Sequence, residues 1–262
     1  MLYRVEGIVI RSVAYGEGNL IVTLFTGEVG KVGVMVRGAK KARSRHGAVT
    51  QLYTYGDFVF YKSQANGLGT LNSAELLDGY PGIRGDLRAS AYAAYFAELT
   101  DRLVPDGEAS QFLFEQLKAA YEALSAGKDP AVVSAMLELK LAQFAGFAPL
   151  TSECAECGRA PDPEEKMFWS ASAGGLVCAR CAADRSDRMP LPPGAVRLLP
   201  VLQRADLRRI GDVSVKPATK RALKEALRRY LDAHADVRLK TRGVLDQIEA
   251  VYDEPADPHE TT

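Results

Sequence analysis

All four cysteines of the chain fall in one short segment: Cys154-Ala-Glu-Cys157 and, twenty residues later, Cys178-Ala-Arg-Cys181. Two residues between thiolates let a tight turn aim both sulfurs at one ion, about 2.3 Å away, and two such turns complete a tetrahedron. Gly158, directly after the first doublet, can take the positive φ such a turn needs. Four thiolates leave no position for water or substrate, so the pattern predicts one structural zinc ion held by Cys154, Cys157, Cys178 and Cys181. Two disulfides, or free thiols, are the alternatives. The pairing of every cysteine and a reducing compartment favour the metal. The rest of Thr151–Pro190 has weak hydrophobic periodicity and is expected to take its order from the ion, whose binding in isolated fingers is worth on the order of 10 kcal/mol.

The reducing compartment is itself an expectation. The start, Met-Leu-Tyr-Arg-Val-Glu, lacks the basic and then apolar regions of a secretory signal, and no apolar run approaches the roughly 18 residues of a membrane span. A cytoplasmic protein with no membrane contact is expected. Its 262 residues, 47% hydrophobic and 25% charged, have the balance of a globular chain with room for one large domain or two to three small ones.

Formal charge is zero, 33 basic against 33 acidic, but it is unevenly distributed. Residues 1–80 carry 9 Lys/Arg against 6 Asp/Glu, residues 81–184 carry 9 against 15, residues 185–242 carry 15 against 6, and the last 20 carry 0 against 6. Phosphate binding depends on the local field, so neutrality overall does not exclude nucleic acid. Solvated charged faces are the plainer reading of the same runs.

The first eighty residues read as strands: Tyr3–Arg11, Leu20–Thr26, Gly30–Arg37, Asp57–Lys62 and Gly69–Glu75, rich in β-branched and aromatic residues and separated by Gly, Asn and Ser. Five short strands at regular spacing predict a closed OB-type barrel, since closure removes exposed edges. Pro81-Gly82 breaks that pattern and a helical period follows. Leu87, Ala91, Tyr95 (or Ala94) and Leu99 share a face. Ser110 suits the N-cap of a second helix through Leu124. Pro130 opens a third, with Val133, Met136, Leu137, Leu141 and Phe144 toward a core. Further helices are expected at Pro193–Arg204, Ala218–His234 and Thr241–Tyr252. The predicted class is α+β: an OB-type domain over 1–80, a helical domain over 81–150 and 185–252, a zinc-binding element over 151–184, and an acidic, disordered tail over 253–262.

Catalytic signatures fail on inspection. Gly27-Glu-Val-Gly30-Lys31 is too short for a phosphate loop and lacks the following Ser or Thr. Gly16-Glu-Gly18 and Gly67-Leu-Gly69 lack a third glycine and a helix. The deaminase pattern needs a His-x-Glu upstream of its cysteines, and none exists. The three histidines, His46, His234 and His259, form no spaced pair. A non-enzyme is expected.

Two basic regions remain. Arg37, Lys40, Lys41, Arg43 and Arg45 stand between two strands with no acid among them, and Gly38 and Ser44 suit a loop that can follow a phosphate backbone. Among the aromatic residues that follow, alternation sends Phe58 and Phe60 into the barrel, leaving any base stacking to tyrosines such as Tyr53 and Tyr55. In the late helix, Leu223, Leu227 and Leu231 mark a buried side, and Lys220, Arg221, Lys224, Arg228 and Arg229 fill the remaining arc. Such an arc is either solvated or meets phosphate or an acidic protein.

These residues also resemble a known family. Val5-Glu-Gly-Ile-Val-Ile-Arg11, Tyr15-Gly-Glu17, Thr23-Leu-Phe-Thr26 and Gly30-Lys31, the basic loop Gly38-Ala-Lys-Lys-Ala-Arg43-Ser44, Gly67-Leu-Gly-Thr, Ala74-Glu75, Tyr230-Leu-x-x-His234 and Leu239-Lys-Thr-Arg242 are similar, in order, to the bacterial RecO recombination mediators. Gly18-Asn19 and Thr241 depart from the commoner polar-Asp and Ser. The resemblance implies a nucleoid-associated, non-enzymatic protein with an OB domain, a helical domain and a zinc finger. It implies binding of single- and double-stranded DNA, strand annealing, and recombinase loading with a RecR-like partner on DNA coated by single-strand-binding protein. By the same resemblance the four cysteines are metal ligands and Arg37, Lys40, Lys41, Arg43 and Arg45 touch phosphate. The late basic helix would meet DNA or the acidic tail of single-strand-binding protein. A zinc-stapled adaptor that docks acidic partners and never meets DNA is the alternative.

Overall fold

A computed structural model describes residues 1–41, 43–63, 67–162 and 165–253. Strands β1 (Leu2–Tyr15), β2 (Asn19–Thr26), β3 (Gly30–Val36), β4 (Tyr55–Tyr61) and β5 (Gly69–Asp78) close into a barrel in the order β1-β2-β3-β5-β4. The neighbours are antiparallel except β3 and β5, which pair in parallel at Val34 with Gly69 and Met35 with Thr70. This is the five-stranded OB arrangement expected from the strand spacing. β1 runs four residues past its expected end. A register shift between Val9 and Arg11 bends it, so its first half pairs with β4 and its second half with β2.

Both faces of β1 are covered. Val5 and Val9 join Val22, Leu24, Val32, Val34, Val36, Phe58 and Phe60 inside the barrel. Ile8 and Ile10 point out of it and join the core of the helices. Phe58 and Phe60 are fully buried, as alternation requires.

The helical part starts with α1 (Pro81–Gly85) and continues as α2 (Leu87–Leu103), α3 (Gln111–Ser125) and α4 (Pro130–Phe144). Asp86, Ser110 and Asp129 cap α2, α3 and α4 through side-chain oxygens that accept from Ala89, Leu113 and Ala131 N–H. α4 is central: apolar residues on every side of it are buried, so the single face read from its sequence understates its burial. After the cysteine-bearing segment come α6 (Pro193–Arg204), α7 (Pro217–His234) and α8 (Thr241–Asp253), with α5 (Ala179–Ala182) lying inside that segment. No helix among the described residues is long and apolar enough to cross a membrane.

Barrel and helices are joined tightly. Gly30 has φ +66°, and a Cβ there would stand 2.4 Å from the Glu108 carbonyl oxygen, so only glycine lets these backbones approach. Next to it, the buried Lys31 ammonium donates to the Asp101 carbonyl at 2.6 Å and reaches the carboxylates of Asp101 and Asp106 at 3.3 and 3.1 Å. The expected acidic tail lies outside the described residues from Glu254 onward.

Candidate metal centre and nucleic-acid interface

A small sheet in the order β7-β6-β8 carries the cysteine segment: β6 (Met167–Ser170), β7 (Gly175–Cys178) and β8 (Met189–Pro190). Cys178 ends β7 and Cys181 lies in α5, one turn away. The first doublet sits on a turn closed by Gly158 N–H donating to Cys154 O at 2.8 Å and Cys154 N–H to Arg159 O at 2.8 Å. Gly158 has the positive φ, +69°, anticipated for it. The four sulfurs lie within 4.8 Å of one another, and Cys157 Sγ is 3.9 Å from Cys178 Sγ. Tetrahedral bonds of about 2.3 Å require sulfurs about 3.8 Å apart. All four cysteines are free of disulfides. The set therefore fits one metal ion.

The electrostatics agree with that donor set. Burial opposes ionisation of Cys154, but backbone N–H groups of Cys178, Cys157 and Glu156 aim at its sulfur and bring its pKa down to about 6. The hydrogen bond that the Cys181 thiol donates to Cys178, and burial, with Cys157 and Cys154 close by, push Cys181 up to about 12. Packed together, four thiols cannot all ionise without a cation among them.

The segment is less dependent on an ion than its sequence suggests. Met167, Trp169, Leu176, Val177 and Ala182 are buried in the same core as the helices. Trp169, fully buried, meets Tyr230 of α7 edge to face, with ring centroids 5.6 Å apart. His234 stacks on Phe147 and its Nε2 lies 2.8 Å from Ala171 O. What the apolar anchor leaves unsupported is the exposed first cysteine turn, Ser152 to Ala160, from which only Cys154 is buried.

The basic loop leaves β3 at Val36. Arg37, Lys40, Lys41, Arg43 and Arg45 are all exposed, and none has a carboxylate within 4.0 Å among the described residues. Its base is fixed to the β1–β2 turn: Gly38 N–H donates to Asn19 Oδ1 at 3.0 Å and Lys40 N–H to Gly18 O at 3.1 Å. Asn19 thus supplies the acceptor oxygen an aspartate would supply there. Arg45 Nε donates to His46 Nε2 at 3.1 Å. Burial, and then the Arg45 charge, hold His46 below its ordinary pKa and so neutral.

Two tyrosines do not stand where stacking needs them. Tyr55 is buried against Phe114, its hydroxyl bonded to Glu6 and accepting from Lys118 Nζ at 3.2 Å. Tyr53 packs on Tyr121 at 5.8 Å. Both sit under the helices, because alternation cannot distinguish a solvent face from one that a later domain covers. Within the barrel domain the half-exposed rings are Tyr15, at the end of β1 beside the turn that anchors the loop, and Tyr61. Tyr15 lies outside the aromatic run 53–61, so its sequence position does not single it out.

The late helix also differs from a bare cationic arc. Lys220 pairs with Asp129 at 2.8 Å, Lys224 and Arg228 with Asp246 at 3.0 and 2.6 Å, and Arg229 with Glu225 at 2.7 Å. Of the five, Arg221 alone has no carboxylate partner among the described residues.

Comparison with known proteins covers nearly the whole chain. Family models described as the N-terminal and C-terminal parts of recombination protein O match residues 1–80 and 84–243. A DNA repair protein RecO of Halalkalibacterium halodurans is 38% identical over 259 residues, spanning 98% of this chain and 100% of its own. One of Bacillus subtilis is 39% identical over 251 residues, 96% of each.

Proposed function

The chain belongs to the RecO family, and on that premise we propose that it is a non-catalytic DNA-binding mediator of recombinational repair, gripping strands through the loop Arg37–Arg45. One observation carries this reading: five exposed cations, uncompensated by carboxylate among the described residues, on a loop tied to the mouth of an OB barrel. Barrels of this type hold single strands with a basic groove and aromatic platforms, and Tyr15 is placed to act as a platform beside the loop.

Cys154, Cys157, Cys178 and Cys181 would hold a structural zinc ion, which would cross-link the first cysteine turn to the β7–α5 corner and, with four thiolate ligands, would offer no position for substrate. The late helix is the second surface of the proposal, for a second strand or for the acidic tail of single-strand-binding protein. Strands repel one another through their phosphates, and a protein that holds both screens that repulsion and speeds annealing. With a RecR-like partner, the same grip on DNA serves recombinase loading.

The competing adaptor, which docks acidic proteins only, is separated by titrating a labelled single-stranded oligonucleotide at two salt concentrations. The mediator binds at low salt and loses affinity steeply as salt rises. An adaptor gives no shift at either.

A further inference from the structure

Along α7, Lys220, Arg221, Lys224 and Arg228 form a stripe of charge covering about 12 Å of helix. Arg88 of α2 faces them across a groove of about 430 Å³. The groove is basic, yet most of its cations are engaged by carboxylates. Glu249 of α8 meets Arg88 at 2.5 Å, and Asp246 of α8 meets Lys224 and Arg228 at 3.0 and 2.6 Å.

The hold of α8 on the rest of the molecule is uneven. At its N-terminus Glu98 accepts from the backbone N–H groups of Lys240 and Thr241, at 3.0 and 2.8 Å, and from Thr241 Oγ1 at 2.7 Å. Leu245 is buried. Beyond it, Val251 and Tyr252 are 72% and 49% exposed, and the last turns are held by half-buried Ile248, by the buried Glu249 and by Arg88, whose guanidinium lies over the Tyr252 ring 5.5 Å from its centroid. That end of the helix is therefore held chiefly by charge, through the sheltered Arg88–Glu249 pair and through the Asp246 pairs, which are about a third exposed and which salt and competing anions weaken.

We propose that α8 is an acidic latch on a second nucleic-acid site: the groove between α7 and Arg88 takes the phosphate backbone of a DNA strand, and Asp246 and Glu249 occupy its cations until that strand replaces them. This rests on the reading of the chain as a DNA-binding protein and adds the regulation of its second surface. A nucleic acid suits the groove better than a peptide. Its charge repeats along its length as the cations repeat along α7, and the uncharged walls, Ala131, Pro217 and Tyr252, offer no deep apolar socket for a side chain. The latch keeps the second site weak until a multivalent anion reaches it, so that the loop is filled first.

The test measures binding of a fluorescent oligothymidylate to the full chain across a salt titration, for the wild type and for Asp246→Asn with Glu249→Gln. The freed Arg88, Lys224 and Arg228 are expected to tighten binding about tenfold at low salt and to steepen the salt dependence by about two bound phosphates. Adding Lys220→Glu and Arg221→Glu is expected to abolish the gain. A double variant that melts normally but binds with wild-type affinity and slope overturns the latch. So does a gain that survives those reversals, and so does an equal gain toward oligoglutamate, which assigns the groove to an acidic protein. Should the double variant fold poorly, hydrogen exchange on the wild type decides. Saturating oligothymidylate is expected to speed exchange of the backbone amides of 249–253, and unchanged exchange there overturns the proposal. Failure of the underlying reading looks different: neither the wild type nor the latch variant then binds DNA. A loop variant that loses binding, beside an unresponsive latch variant, removes the latch alone.

Discussion

Cys154 and Cys181 sit in one ring of sulfurs and are pushed in opposite directions, the first toward thiolate and the second toward thiol. A dication resolves that opposition, because it lets all four ionise. Replacing Cys178 with Ser is expected to lower bound zinc below one equivalent and the melting temperature with it. The loss stays under the order of 10 kcal/mol seen for isolated fingers, because Trp169 and Leu176 still anchor the sheet. Full zinc stoichiometry with normal melting contradicts the structural role. Glu138 makes a second prediction. It is buried in the middle of α4 beside a cavity of about 30 Å³ and accepts from Ser134 Oγ at 2.7 Å. Burial raises its pKa to about 7, against the opposing pull of Ser134, Tyr95, Arg242 and Lys224. The folded state therefore keeps a proton that the unfolded chain releases, and stability falls as pH climbs from about 4.5 to about 7, by up to about 3 kcal/mol. In Glu138→Gln that part of the decline disappears, which melting curves across this pH range will read. Nothing in the sequence marks Glu138, since a single acid between Leu137 and Leu139 looks like any solvated helix position. The cysteine ring, by contrast, is legible from spacing alone.

Among elements, those with a short-range signal are legible and those defined by distant partners are not. The five strands declare themselves by alternation and punctuation, and Ser110 and Pro130 mark where α3 and α4 begin. The neutralisation of α7 is invisible to the same reading, because Asp129 is 91 residues from Lys220 and Asp246 is 18 from Arg228. Tyr53 and Tyr55 mislead for a related reason: their surroundings belong to α3, far along the chain. The cysteine element lies between these cases. Its ligands are plain, while its apolar anchor is scattered over Met167, Trp169, Leu176 and Val177, too few for a periodicity. Truncating Trp169 to Ala is expected to cost about 3–5 kcal/mol, as other buried large-to-small changes do. Zinc stoichiometry is expected to stay near one, since no ligand is removed. Denaturant melts with zinc determination check both, and loss of zinc without loss of stability contradicts the separation of anchor from metal.

At the scale of the whole molecule, zero formal charge conceals a division of labour. Lys31 is spent at the junction of barrel and helices, Lys220, Lys224, Arg228 and Arg229 are paired on the helical side, and the loop cations are left without carboxylates among the described residues. The barrel offers a rigid mount, fixed at Gly30 and through the shared core of Ile8 and Ile10, so the loop is presented in a defined place and its charge faces outward. Local field of this kind drives sequence-independent binding to phosphate, and it leaves a quantitative signature in salt. The most direct measurement is the salt dependence of single-stranded DNA affinity for the wild type and for the triple reversal of Lys40, Lys41 and Arg43 to Glu. Binding is expected to weaken equally on all sequences, and the slope of log affinity against log salt is expected to flatten by roughly 0.7 for each phosphate the loop no longer neutralises. A reversed loop that leaves the wild-type slope unchanged contradicts the account.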